Sequence, residues 1–192
     1  IIPIGDWVLR KACETVLAMN QLHGTDYRMS INVSPVQLTQ PQFVPQLIEL
    51  IASLGVKRDW IEIEITENVF LANVEGAVDT IKHLRQADIS VSLDDFGTGY
   101  SSLAYLSRLP IQTLKIDRSF IMHMTDEPTA EKMVDSIIML AHKLGIILVA
   151  EGVETKGQYQ MLGRYACDCI QGYYFSKPLK REDAMNYTMQ YH

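Results

Sequence analysis

Asp94 and Asp95 are adjacent acids at the end of an alternating apolar run, Ile89, Val91, Leu93, and a segment rich in glycine and hydroxyls follows at once. Two neighbouring carboxylates repel each other and lose hydration at a strand end, so neither ionises comfortably without a cation nearby. One isolated pair is equally a strand cap or an Asx-turn, because Asp, Gly, Thr and Ser are ordinary turn formers. The same arrangement recurs along the chain, however. Asn32 stands near the end of Tyr27–Val33, Glu64 near the end of Trp60–Ile65, and Lys115 near the end of Gln112–Ile116. Glu151 closes Ile146–Glu151, and Gln171 stands near the end of Asp168–Gly172.

Segments of helical periodicity separate these runs: Phe43, Leu47, Ile48, Ile51, Leu54; then Val74, Val78, Ile81, Leu84; then Val134, Ile137, Ile138, Ala141, Leu144. Pro41 and Pro128 stand near helix starts, and Gly55 and Gly145 follow helix ends. Strand alternating with helix predicts an α/β fold of parallel strands joined by right-handed crossovers. Ligands in such folds bind outside the carboxyl ends of the strands. Asn32, Glu64, Asp94, Asp95, Lys115, Glu151 and Gln171 would converge there, which solvation of a surface does not explain.

The pattern yields about six βα units, preceded by a helix over roughly Ile4–Met19 that lacks a strand of its own. An eight-stranded (β/α) barrel needs two more strands and typically about 250 residues. The expectation is therefore one domain over 1–192, truncated at its N-terminal side. Its strand edges at Tyr27–Val33 and Asp168–Gly172 would be unpaired and open to swapping. With 192 residues, 47% of them hydrophobic, the chain can bury one substantial core. A net charge of −6 argues against a basic face for DNA or for a membrane surface. The cysteines Cys13, Cys167 and Cys169 lack metal or redox spacing, which suits a reducing, cytoplasmic setting. No apolar stretch is long enough to insert directly into a membrane, although a parent protein could be tethered to one.

Several ordered motifs carry a resemblance: INVSP (Ile31–Pro35), EITEN (Glu64–Asn68), DDFGTGYSSL (Asp94–Leu103), LKIDRSF (Leu114–Phe120), VAEGVET (Val149–Thr155) and QGYYFSKPL (Gln171–Leu179). Together they resemble the motif series of EAL-domain cyclic di-GMP phosphodiesterases over essentially the whole chain, a far more specific signal than one short pattern. The resemblance implies a TIM-type barrel whose first two strands, with the Glu-Ala-Leu signature, are absent here. It implies bacterial second-messenger signalling through hydrolysis of cyclic di-GMP to linear pGpG. It also implies Mg²⁺ or Mn²⁺ in a two-metal site, a homodimer, and sensor or cyclase domains elsewhere in the parent. The chemistry is consistent, because carboxylate and amide oxygens suit hard divalent cations. Paired metals can also neutralise an anionic phosphodiester in an acidic protein.

By resemblance, Asn32, Glu64 and Asp94 are first-metal ligands, against strand-end capping as the alternative. Asp95 is a second-metal carboxylate, and Asp117 assists it unless it caps a turn. Lys115 holds the attacking water; a lysine at a strand end is otherwise a snorkelling surface group. Glu151 is a general base or second-metal contributor, or else an acid at a helix N-terminus. Gln171 belongs to the substrate and water network. Glu67 holds the loop Phe96, Gly97, Thr98, Gly99, Ser101 and Ser102, which shapes the second-metal site and contributes to dimer communication.

Other features carry less. Asp95-Phe96-Gly97 matches a kinase tripeptide, but no phosphate-cradling loop accompanies it. The histidines show no paired ligand spacing. Met133, Met139, Met161 and Met185 read as core filler. Tyr173, Tyr174 and Phe175 could stack a guanine or pack on the barrel. Three functions stay open: a phosphodiesterase impaired in this fragment by loss of a first-metal ligand, a non-catalytic cyclic di-GMP-binding module, and a protein-interaction scaffold.

Overall fold

Alternation along each strand decides what the sheet's two faces can bury. In the computed structural model, which describes residues 1–97, 106 and 108–187, six strands form one parallel sheet in sequential order. They are β1 (Met29–Asn32), β2 (Ile61–Thr66), β3 (Ser90–Phe96), β4 (Thr113–Ile116), β5 (Ile147–Ala150) and β6 (Cys169–Ile170). The sheet curls into a half-barrel of TIM type. Ile31, Ile63, Ile65, Val91, Leu93, Leu114, Ile116, Leu148 and Ala150 form one alternate set and are almost wholly buried with the helices. From β1 to β4 the other set is largely polar, with Ser30, Asn32, Glu62, Glu64, Ser92, Asp94, Thr113 and Lys115, while on β5 it is Ile147 and Val149. Closed TIM barrels usually fill that inner face with branched apolar side chains. Here, from β1 to β4, polar groups occupy it.

The helices form where periodicity and end signals agree. The first, α1 (Ile2–His23), runs past the predicted Ile4–Met19 at both ends and stops at Gly24 in the left-handed conformation. A short α2 (Pro35–Leu38) opens with a capping box between Ser34 and Gln37. Next, α3 (Phe43–Leu54) buries Phe43, Leu47 and Ile51, each about one turn apart. After a short α4 (Val69–Ala72), α5 (Val74–Gln86) begins where the Asn73 side chain accepts the Gly76 N–H, and it buries Ala77, Ile81 and Leu84. Beyond β4 come α6 (Arg118–Met122) and α7 (Pro128–Leu144), the latter burying Val134, Ile138 and Ala141. A Thr155–Gln158 capping box opens α8 (Lys156–Arg164), and α9 (Arg181–Met185) lies near the end of the described residues. No helix among the described residues is long and apolar enough to cross a membrane.

Side chains that take over ladder positions trim the strands. Tyr27 does not join β1, because Asn20 holds both its backbone groups, accepting from its N–H at 2.7 Å and donating to its carbonyl at 2.9 Å. Asp168 stays outside β6, because its Oδ2 accepts the Leu148 N–H at 2.8 Å where a backbone carbonyl would otherwise stand. The outer edges of β1 and β6 have no strand partner among the described residues. The helical layer nevertheless spans the gap. His23 Nε2 lies 2.7 Å from the Met185 carbonyl, and Arg181 Nε donates to Thr15 Oγ1 at 3.2 Å, joining α9 to α1.

One expectation needs correction. Met133 and Met139 are about half exposed on α7 rather than core filler, because Val134, Ile138 and Ala141 already occupy the inward stripe. Tyr174 and Phe175 pack on the outer layer of the half-barrel. They follow β6 and meet Tyr159 of α8, with Tyr159 and Tyr174 stacked at 5.3 Å between centroids.

Gly172 sets how closely the chain after β5 can approach the end of β6. A Cβ there would lie 2.1–2.7 Å from the backbone of Val153, which itself exchanges hydrogen bonds with Gln171 and Tyr174. Gly172→Ala is therefore expected to lower stability by about 1–3 kcal/mol, the range for overpacking a rigid contact. Urea unfolding measures this, and a wild-type midpoint would contradict the close approach.

Candidate active site

Parallel strands in sequential order bring their carboxyl ends to one rim. The register pairs Asn32 with Glu64 across β1 and β2, and Thr66 with Asp94 across β2 and β3. Lys115 and Glu151 arrive from β4 and from just beyond β5. The side chains meet. Asn32 Nδ2 donates to Glu64 Oε2 at 2.9 Å, and Lys115 Nζ donates to Glu64 Oε1 at 2.6 Å. The same ammonium lies 2.5 Å from Glu151 Oε1 and 3.6 Å from Asp94 Oδ1. Lys115 is only 5% exposed, so it is no snorkelling surface group.

Burial alone would discharge this lysine. The hydrogen bonds and charges of Glu151 and Glu64 outweigh that effect and raise its pKa above the ordinary lysine value. Glu151 moves the other way from a normal paired acid. Burial raises its pKa, and the nearby Asp94 and Glu64 charges add to this against the opposing pull of Lys115. Glu151 also stands clear of α8, whose N-cap is Thr155, so it is not a helix N-terminal acid.

The adjacent acids depend on a break in the alternation. Leu93 pairs with Leu114 and Phe96 with Ile116, so β3 holds one residue more than β4 between these pairs. This β-bulge coincides with Asp95 in the left-handed region, at φ 55°. Asp tolerates that conformation better than most residues. Its N–H donates to Asp94 Oδ1 at 3.0 Å. In a regular strand consecutive side chains would point to opposite faces; the bulge lifts that restriction. The Asp95 pKa is raised by burial, then by the charges of Asp94 and Asp117.

Asp117 is committed in part to structure. Its Oδ1 accepts the Ser119 N–H at 2.9 Å as the N-cap of α6. Burial opposes its charge, but the Ser119 and Arg118 hydrogen bonds prevail and lower its pKa. Glu67, just after β2, accepts the Gly97 N–H through Oε1 at 2.8 Å. Gly97 sits at φ 96°, and a Cβ on it would stand 2.6 Å from the Phe120 ring. Phe96 is buried beside it. Thr98, Gly99, Ser101 and Ser102 lie outside the described residues. Gln171 is exposed at the end of β6, its N–H donating to the Ala150 carbonyl at 2.8 Å.

The donor chemistry bears on a cation. Three carboxylates around one ammonium leave negative charge uncompensated at the centre of the rim. Among the described residues no three His, Cys, Asp or Glu side chains stand close enough to hold an ion by themselves. The oxygen-rich set formed with the Asn32 amide, however, suits a hard divalent ion in type and charge. Phe120 and Arg118, both within LKIDRSF, make contacts that the motif alone does not show. Phe120 walls Gly97, and Arg118 covers Gly152 and pairs with Glu154 at 2.9 Å. Neither contact has a periodic signature that would have revealed it.

Residues 1–178 match the family model described as the EAL domain. The chain is 38% identical over 176 residues to the cyclic di-GMP phosphodiesterase NbdA of Pseudomonas aeruginosa, covering 92% of this chain and 22% of that protein. It superposes with TM-score 0.92 on the EAL enzyme Bd1971 in its cAMP- and cyclic di-GMP-bound form, at 36% identity, covering 97% of this chain and 51% of that one. The PaMucR phosphodiesterase in complex with c-di-GMP superposes with TM-score 0.88 at 33% identity, covering 96% of this chain and 74% of that one. The chain thus spans about a quarter of the length of the curated relatives it matches.

Removing the ammonium strands buried carboxylates. Lys115→Met is expected to destabilise the protein by about 3–5 kcal/mol, as for loss of one partner of a buried pair. Chemical denaturation at neutral pH reads the effect, and a shift below 1 kcal/mol would show that Glu64 and Glu151 do not depend on this charge.

Proposed function

Because this chain belongs to the EAL domain family, we propose that it carries the site of a metal-dependent phosphodiesterase that cleaves cyclic di-GMP to linear pGpG. The convergence of Glu64 and Glu151 on Lys115, with Asn32 bonded to Glu64, carries the reading. A relative of known activity and two ligand-bound neighbours support it.

Asn32, Glu64 and Asp94 would hold one Mg²⁺ or Mn²⁺, and Asp95 with Asp117 a second. Bound there, the ions supply charge compensation at the phosphate and a lowered pKa for water. The chain's own groups then divide the remaining work. Lys115 orients the attacking water through its ammonium hydrogens. Glu151 accepts a proton, a role its raised pKa favours. Gln171 takes part in the substrate and water network at the exposed end of β6. Glu67 fixes the bulged segment by holding Gly97, so that Asp95 keeps its place.

Cyclic di-GMP incubated with the protein and Mg²⁺ or Mn²⁺, with products resolved by chromatography, tests the reading. Formation of pGpG that EDTA abolishes is the expected result. Binding without turnover would favour the receptor alternative. Neither binding nor turnover would favour a scaffold. Glu67→Ala should reduce turnover and metal affinity roughly 10- to 100-fold, as for removal of a group that orients a ligand; full activity and affinity in that variant would contradict its holding role.

A further inference from the structure

A second polar layer lies directly beneath the site. Glu62 precedes Glu64 by two residues on β2, so its side chain projects to the same inner face. Only 6% exposed, it accepts hydrogen bonds from Ser30 Oγ at 3.0 Å and from Thr113 Oγ1 at 3.0 Å. Arg28 Nη1 lies 3.6 Å from its Oε2. Ser30 and Thr113 in turn precede Asn32 and Lys115 by two residues on their own strands. Both layers therefore share one connectivity: a glutamate of β2 joins β1 on one side and reaches past β3 to β4 on the other. Ser92 of β3, in register with both Glu64 and Thr113, is small enough to let the glutamates cross. Its hydroxyl is fully buried with no hydrogen-bond partner among the described residues, so it stands there for its size rather than its polarity.

A buried carboxylate is costly to keep where a branched apolar residue would normally pack. We infer that Glu62 is a positioning residue: its two oxygens tie β1 to β4 below the rim and so set the spacing of Asn32, Glu64 and Lys115. This inference rests on the hydrolytic reading for its consequences, not for its geometry. Glu62 touches neither substrate nor ion. It acts through the strands that carry the groups that do.

The whole protein serves for the test, with Glu62→Leu, Glu62→Gln and Thr113→Val compared for kcat, KM and Mn²⁺ affinity, and thermal melts monitoring the fold. Leu removes both acceptors and Val removes one donor at constant shape. Each should lower kcat and Mn²⁺ affinity roughly 10- to 100-fold, with KM changed far less, as for loss of an orienting partner. Gln keeps one acceptor and gains a donor that a hydroxyl can accept, so it should restore kcat to within about threefold of wild type. Wild-type kcat and Mn²⁺ affinity in Thr113→Val overturn the inference, even if Glu62→Leu fails to fold. A uniform loss in all three variants, Gln included, overturns it as well. Should the wild-type protein hydrolyse nothing, the hydrolytic reading fails on its own. Crystal structures of the wild type and Thr113→Val then decide: a displaced Lys115–Glu64 contact supports the brace, and an unchanged contact refutes it.

Discussion

A single ammonium organises this molecule. Lys115 is buried among Glu64, Asp94 and Glu151, which reach it from three other segments of the rim. Burial alone would strip the proton from this lysine; the hydrogen bonds and charges of Glu151 and Glu64 hold it there. The price is geometric, because β2, β3, β4 and the end of β5 must all stop at one level. Sequential parallel pairing provides this, and the alternate apolar set provides the adhesion to the helices.

The site also needs departures from regular geometry. Alternation can deliver one acid of a consecutive pair to the rim, not two. The β3 bulge, with Asp95 at positive φ, resolves that conflict. Gly97, directly after the bulged strand, donates its N–H to the Glu67 carboxylate and leaves the Phe120 ring no room for a Cβ. Backbone irregularity clusters where a site must break local rules. Here it also sits next to Asp95, whose pKa is raised by burial first and by the Asp94 and Asp117 charges second.

Much of this was legible in the residues. Period-two runs ending in polar groups foretold the strands and their common rim, and the 3.6-residue stripes of α3, α5 and α7 foretold which helix faces are buried. What escaped were long-range substitutions of side chain for backbone. Asn20 removes Tyr27 from β1, and Asp168 takes a ladder position and shortens β6. No local pattern announces such bonds, since their partners lie on other elements. Met133 and Met139 are hydrophobic by type yet exposed, because the inward stripe of α7 is already filled by Val134, Ile138 and Ala141. Asp117 shows the limit from the other direction, for its residue type suits both a metal and a helix cap, and the cap is what the Ser119 bond reveals.

The most direct test of a shared cation-binding rim is anomalous X-ray scattering from Mn²⁺ in crystals of the protein. The account predicts a peak contacted by Asn32, Glu64 and Asp94 together, with Lys115 beside it. A manganese ion bound elsewhere, with those three side chains left to hydrogen bonds alone, would contradict it.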